Sequence, residues 1–392
     1  MSSRLLKARA LVTNCTSTAG LLATRSLARA GCEVLNVDVS RFALGLRSRY
    51  ALETFKLADS APQQLGADLL ELVRRVQPDL ILPVGSNFAA AISARVDEFA
   101  ALAALNFPSP ESFLAGYDKR ACIRHCQKLG IPCARLLSAV EAENMLDRAS
   151  GGPVLVVKPD RDIGASAGVR YIRDRRAFEE QTRHLGGRFD SRMVQEFIPG
   201  GRGSMRTVVV LFSQRSELTA AFTLRKTLEW PPTGGLTAVG HSTDDPDLVR
   251  MVLPFFEKFR WKGPAEVELR VDARDGCPKV IEINPRVPSY IDFARRCGLD
   301  VIHLAARLAL DEPVEPFRYP AYTVDAGVWS PFLCLRVAVR RIRPGMRPGQ
   351  LLARAWNILR TSESDLGSLV TDPGALLGRC LRDFRIMVSP RR

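Results

Sequence analysis

Two β-rich runs constrain this chain more than any other feature. They are PAEVELRVD at 264–272 and KVIEINP at 279–285, joined by the turn-like DARDGCPK at 272–279. Side chains two apart on a strand share a face, so Glu282 and Asn284 point the same way. A turn that folds the runs into a hairpin brings Glu268 to join them. Two carboxylates and an amide oxygen suit a hard cation such as Mg²⁺, which takes oxygen ligands and keeps phosphate as a partner. Arg286, again two residues on, is placed to clamp a phosphoryl group beside that ion. An E-x-N tripeptide alone fits a polar hairpin with solvated acids equally well, and the pieces upstream decide between the two.

The first eighty-five residues alternate strand and helix. ALVTNC (10–15) reads as a buried strand, and TAGLLATRSLARAGC (18–32) as a helix stopped at Gly31. CEVLNVDV (32–39) is the next strand, LGADLLELVRRVQ (65–77) a helix, and DLILPVG (79–85) a strand. This alternation predicts a parallel, Rossmann-like sheet. Its first turn, TNCTSTAG (13–20), lacks G-x-G-x-x-G, so NAD or FAD is not expected and Asp38 reads as a strand-end cap. A helix over 116–130, the strand PVLVVKPD (153–160), the small-residue loop IGASAG (163–168) and the strand VRYI (169–172) follow. A helix over 174–185 precedes MVQEFIPG (193–200) and the long β runs MRTVVVLF (205–212) and LTAAFTLRKTLEW (218–230). Residues 245–259 are helical, and 289–311 read as one broken helix or two.

The bulk composition narrows the class. The chain has 392 residues, enough for two or three domains, and its 25% charged content is ordinary for a globular protein. No apolar run reaches membrane-spanning length and no signal peptide is evident. The nine scattered cysteines read as reduced thiols, so a cytoplasmic protein is expected. Net charge is +14, and residues 335–392 carry 12 arginines against 4 acids. That segment suits peripheral contact with an acidic surface; a solvated arginine surface is the plainer reading, and no specific nucleic-acid partner is expected.

Four further pieces handle phosphate or base. Lys158 ends a strand and precedes GASAG (164–168), where small residues let backbone N–H groups approach phosphate and Ser166 adds a donor. Lys119 lies in a helix after the Pro-rich FPSP (107–110) and alone would be a surface lysine. In QEFI (195–198), Gln195 and Glu196 offer polar groups to a base edge, while Phe197 and Ile198 supply apolar walls. Alone, that stretch reads as plain core strand. FTLRKTLEWPPTGG (222–235) adds the basic pair Arg225 and Lys226 before a Pro-rich turn.

In this order the pieces resemble the ATP-grasp superfamily, over about residues 1–310, and look closest to its carbamoyl-phosphate-synthase-like and carboxylate–amine ligase members. The resemblance implies an α/β (α+β) fold. A Rossmann-like domain at 1–110 would precede an ATP-grasp domain at 111–316, with a small subdomain about 125–195 and a large one about 196–316. A basic extension would occupy 317–392. It implies that Lys119, Lys158 and Ser166 contact ATP phosphates, and that Gln195, Glu196, Phe197 and Ile198 hold adenine. Glu268, Glu282 and Asn284 would bind Mg²⁺, with Mn²⁺ as a substitute, and Arg225, Lys226 and Arg286 would act on the transferring phosphoryl group.

The implied reaction activates a carboxylate as an acyl phosphate for attack by an amine, with 161–168 as a lid. Small-molecule acid and amine substrates follow, and a homodimer is allowed. A bicarbonate- or biotin-using carboxylase of the same superfamily, or an ATP-binding protein without ligase chemistry, are the alternatives. The chain departs from the family pattern in its lean glycine loop, in Arg202 of GGRGSMR, and in VPSYIDF (287–293), where the acceptor would lie. His241 is the one histidine worth testing as a base; an ordinary loop histidine is the plainer reading.

Overall fold

The computed structural model describes residues 5–148, 154–161, 168–183, 192–230, 235–330, 333–334, 363–364, 371–375 and 377. The small-residue loop with Ser166, most of the expected lid, the PPTG of the Pro-rich turn and most of the basic C-terminal segment lie outside these residues.

The chain begins with β1 (Arg9–Thr13), α1 (Thr18–Arg29), β2 (Glu33–Asp38), β3 (Glu53–Lys56), α2 (Pro62–Val76), β4 (Leu80–Leu82), α3 (Ser86–Ser93) and α4 (Val96–Ala100). The four strands form a parallel sheet in the order β3-β2-β1-β4. Helix α1 starts where the Ser17 hydroxyl accepts from Gly20 N–H, and the chain turns out of it through Gly31 at φ +91°. Helix α2 buries Leu65, Leu69, Leu72, Val73 and Val76, a helical stripe against the sheet. Asp38 accepts from Thr16 N–H at 2.6 Å, Thr16 Oγ1 at 2.9 Å and Ser40 N–H at 2.8 Å. Its carboxylate is consumed in bracing the β1–α1 turn, the capping task expected for it.

The single helix expected over 116–130 is two: α5 (Pro110–Tyr117) and α6 (Lys119–Lys128). Asp118 divides them, because its carboxylate accepts from Ala121 N–H at 2.9 Å and so caps α6. Then come α7 (Ala139–Asp147), β5 (Leu155–Pro159), β6 (Arg170–Ile172), α8 (Arg175–Arg183) and β7 (Arg192–Glu196). The three strands make an antiparallel sheet in the order β6-β5-β7.

A larger sheet follows, from β8 (Met205–Phe212), β9 (Leu218–Trp230), β10 (Leu236–Thr243), α9 (Pro246–Lys258), β11 (Gly263–Val271) and β12 (Pro278–Asn284). The stretch 289–311 divides into α10 (Ile291–Arg296) and α11 (Val301–Ala309). Strands β13 (Gly327–Trp329) and β14 (Glu363–Ser364) complete the order β12-β11-β8-β9-β10-β13-β14. One face of this sheet packs Val208, Val210, Phe212 and Ala221 against Phe255, Phe256 and Trp261. The other packs Val209, Leu211, Ala220, Phe222 and Leu224 with residues of α10, α11 and the N-terminal layer. Each such Val, Leu or Phe side chain contributes about 2 kcal/mol by leaving water.

Residues beyond 317 were expected as an extension; the described ones instead join the body. Strand β13 pairs with β10, and the Tyr322 hydroxyl accepts from Thr223 N–H at 3.0 Å. Asp372 returns to the N-terminal layer, 3.2 Å from the Arg25 guanidinium with both side chains at 1% exposure or less. It also accepts from the Ser48 hydroxyl at 2.5 Å and Arg49 N–H at 3.1 Å. A carboxylate and a guanidinium can be buried together because each offsets the other's desolvation.

The β11–β12 turn is held by Asp272, which is fully buried and accepts from Arg274 Nη2 at 2.5 Å and Lys279 Nζ at 2.5 Å. These partners, Arg274 first, hold its carboxyl below the usual carboxylate range. A depressed folded-state value means stability that is full above the unfolded value of about 4 and lost as pH falls further. Asp272→Asn should therefore cost about 2 kcal/mol at pH 7. Thermal melting from pH 7 to 2 should show the gap to wild type narrowing below about pH 4; a gap that stays constant with pH contradicts this assignment.

Candidate active site

Strand alternation builds the floor of the site. Along β11, Ala265, Val267 and Leu269 enter the core against Phe255, Phe256 and Trp261. Glu266, Glu268 and Arg270 therefore face the other way, and all three line a cleft of about 670 Å³. A one-residue slip would put three charges into the core, which pins the register. Strand β12 pairs antiparallel with β11, setting Glu268 opposite Glu282 and Glu266 opposite Asn284. The register then jumps, with Leu269 opposite Val280, so Ile281 is an extra residue on β12. Its carbonyl is turned out of the ladder and accepts from Lys158 Nζ at 3.0 Å.

Three ammonium groups meet these carboxylates. Lys119 is the first residue of α6, a place it owes to the Asp118 cap, and its backbone N–H donates to Asp160 O at 2.7 Å. Its Nζ lies 2.8 Å from Glu282. Lys158, at the end of β5, lies 3.8 Å from the same carboxylate. Lys226, on β9, donates to Glu268 Oε1 at 2.7 Å. Burial pushes the Glu282 carboxyl up, but Lys119 and then Lys158 outweigh it and hold the group down at about 2. Burial drives the Lys158 ammonium down to about 8, with Glu282 opposing. Burial lowers the Lys226 ammonium, but Glu268, Glu266 and Glu229 together outweigh it and keep the group above the usual lysine range.

One end of the cleft, where a base was expected, comes from β7 and the chain after it. Gln195 is buried and its Nε2 donates to Ala134 O at 3.0 Å. Glu196 accepts from Arg135 N–H at 3.0 Å, Phe197 meets Tyr171 edge-on at 5.9 Å, and Ile198 is buried. All four line the cleft. Strand β7 pairs with β5, setting Gln195 opposite Val156 and Met193 opposite Lys158.

The opposite end opens onto the C-terminal edge of the parallel sheet. The turns after β1 and β4 cross there, with Asn14 at φ 53° and Gly85 at φ +80°. A Cβ on Gly85 would come within 1.9 Å of Asn14 Nδ2, so only glycine fits the crossing. Arg286 donates from Nε to Ser86 Oγ at 3.2 Å, tying the end of the hairpin to the start of α3. Leu22, Phe88, Phe293 and Trp329 add apolar surface to the lining of the cleft. In VPSYIDF, Val287, Ser289, Tyr290, Asp292 and Phe293 all line the cleft.

The structure brings together Lys119, Lys158, Lys226, Glu268, Glu282, Asn284 and Arg286, with Gln195 to Ile198 nearby. It does not bring Arg225. Adjacent residues of a strand point to opposite faces, so with Lys226 buried toward Glu268, Arg225 is exposed on the far side and does not line the cleft. His241 lies opposite Arg225 on β10 and does not line the cleft either. Sequence reasoning missed Glu266 and Arg270, although the alternation in AEVELR carried them beside Glu268.

The donor set fits a hard cation. Among the described residues no cluster of three or more His, Cys, Asp or Glu ligands occurs. Two carboxylates and an amide remain, leaving most of an oxygen shell to phosphate and water, the usual way Mg²⁺ is held. Among the described residues no helix is long and apolar enough to cross a membrane.

Comparisons place this geometry in a known fold. No protein-family model and no curated protein matches the sequence. Solved structures do. One is the biotin carboxylase domain dimer of Hydrogenobacter thermophilus 2-oxoglutarate carboxylase, in complex with MgADP, ADP and bicarbonate. It is 14% identical, with TM-score 0.63 over 82% of this chain and 74% of that one. N5-carboxyaminoimidazole synthetase of Staphylococcus aureus with ADP matches at 13% identity and TM-score 0.63, over 79% of this chain and 80% of that one. The L-amino acid ligase of Bacillus licheniformis matches at 18% and 0.56, over 79% and 76%. The chain has the ATP-grasp fold that these enzymes share.

The Lys226–Glu268 pair offers a direct check on the charge arrangement. Lys226→Met leaves Glu268 without its ammonium in a partly enclosed site and should cost about 3 kcal/mol in chemical unfolding. The double variant Lys226→Met/Glu268→Leu should recover most of that loss. A double variant no more stable than the single one would show the pair is not balanced in this way.

Proposed function

We propose that this protein is an ATP- and Mg²⁺-dependent ligase that activates a carboxylate as an acyl phosphate and passes the acyl group to an amine. One observation carries the reading: Glu268 and Glu282 face each other across the hairpin while Lys119, Lys158 and Lys226 bind those same carboxylates from two different sheets and a helix. A divalent cation at Glu268, Glu282 and Asn284 would take over the carboxylates and release the ammoniums to phosphate oxygens. When bound, such an ion supplies charge neutralisation across the phosphates.

The residues then divide the work. Lys119 and Lys158 hold the phosphates, the Gln195–Ile198 segment holds the base, and Arg286 with Lys226 neutralises the phosphoryl group in transfer. A carboxylate oxygen attacks the γ-phosphorus and ADP leaves. The amine then attacks the acyl carbon, phosphate leaves, and the amine nitrogen gives up a proton. Water must be kept from the acyl phosphate. Enclosure between the sheets serves that, and 161–168 remains the proposed lid. The apolar lining contributed by Leu22, Phe88, Phe293 and Trp329 favours a substrate with a hydrocarbon or aromatic group over bicarbonate. Mn²⁺ is a proposed substitute for Mg²⁺, a cytoplasmic location goes with the ATP supply, and a homodimer is a proposed assembly.

The test is a screen of acid–amine pairs with ATP and Mg²⁺, read by ADP release. Wild type should release ADP only with a matched pair, and Glu282→Gln should lower that rate about a hundredfold or more. Undiminished turnover in Glu282→Gln, or ADP release that needs bicarbonate alone, sinks this reading.

A further inference from the structure

Beside the proposed cation ligands, β11 carries a second carboxylate for which the reaction above has no use. Glu266 is 4% exposed and stands opposite Asn284 in the hairpin. Its Oε2 accepts from Asn284 Nδ2 at 3.3 Å. Its Oε1 accepts from the Tyr290 hydroxyl at 2.7 Å, and the same hydroxyl is 2.7 Å from Thr207 Oγ1. A tyrosine has one proton to give and a carboxylate only accepts. Tyr290 therefore donates to Glu266, and Thr207, itself buried, donates to Tyr290. The chain of bonds runs one way, from Thr207 through Tyr290 to Glu266. Both oxygens of Glu266 are engaged, which sets it apart from Glu268 and Glu282 as a ligand. Burial and then the neighbouring Glu268 push its carboxyl up, and the charges of Lys226 and Arg286 oppose them.

A side-chain amide presents an oxygen at one end and an NH₂ of nearly the same size at the other. Packing alone does not choose between the two orientations. An acceptor-only group facing one end does, because the reversed amide would set its oxygen against a carboxylate. The amide of Asn284, which lines the cleft, is in that situation. We propose that Glu266 is a positioning residue: backed by Tyr290 and Thr207, it holds the NH₂ of Asn284 and so presents Oδ1 to the cation. This rests on Asn284 being a cation ligand. Partners that orient a metal ligand in this way typically change metal affinity by about 10- to 100-fold.

The experiment measures ADP affinity of the full chain by calorimetry, with Mg²⁺ and with EDTA, and Mn²⁺ binding by electron paramagnetic resonance. Glu266→Gln, whose own amide can present either end, should lose about tenfold or more of the Mg²⁺-dependent affinity. Its affinity in EDTA should match wild type. Asn284→Asp provides the deciding background, because a carboxylate has no wrong end. Glu266→Gln should cost nothing when added to Asn284→Asp. Equal losses from Glu266→Gln in the wild-type and Asn284→Asp backgrounds, or no loss in the wild-type background, overturn the proposal while leaving the ligand assignment standing. Full Mg²⁺-dependent affinity in Asn284→Ala removes the ligand assignment itself, and the proposal with it. Should Glu266→Gln fail to fold, Tyr290→Phe replaces it: a loss that vanishes when Asn284→Asp is also present supports the proposal, and no loss overturns it.

Discussion

The site depends on a charge balance that the β11–β12 hairpin imposes. Strand alternation commits Ala265, Val267 and Leu269 to the core, and the same geometry commits Glu266 and Glu268 to the cleft. Carboxylates so enclosed are costly unless cations meet them. Lys226 meets Glu268, and Lys119 and Lys158 meet Glu282 opposite it, each lysine from a different element. Two carboxylates thus face three ammoniums, and Glu266 is held by Asn284 and Tyr290. The hydrophobic core and the polar site are two faces of one strand, and neither can be shifted without the other.

That balance also explains why the surroundings are built as they are. The bulge at Ile281 interrupts the ladder and offers a carbonyl to Lys158, which would otherwise be held by Glu282 alone at 3.8 Å. The Asp118 cap starts a new helix so that Lys119 reaches the same carboxylate. Arg286 extends the arrangement to the N-terminal sheet through Ser86. The cleft is a joint product of both layers. The buried Arg25–Asp372 pair ties a distant part of the chain to the same N-terminal layer, so the C-terminal region contributes to the fold that holds the site.

Periodicity makes much of this legible. The βαβ alternation over 9–85 carries the parallel sheet, and the E…E-x-N spacing carries the facing carboxylates. Each depends only on local geometry, which a run of residues holds by itself. The departures come from local rules extended too far. Arg225 and Lys226 are adjacent and look like a pair, but adjacency on a strand separates side chains. A helix drawn through 116–130 ignores Asp118, although an Asp before a fresh polar stretch is a cap. Glu266 belongs to no recognisable motif, and only the full alternation of AEVELR marks it as a neighbour of Glu268.

By itself the sequence determined which residues share a strand face, where the parallel sheet ends, and that acids and lysines suited to a nucleotide and a hard cation are present. Those properties follow from bond geometry and side-chain chemistry within a few residues. Only the tertiary structure decided which lysine meets which carboxylate, that Ile281 leaves the ladder, that Arg225 faces away, and that Tyr290 and Thr207 stand behind Glu266. Those contacts join elements that lie far apart along the chain. They are set by how sheets and helices pack, to which no short stretch of chain has access.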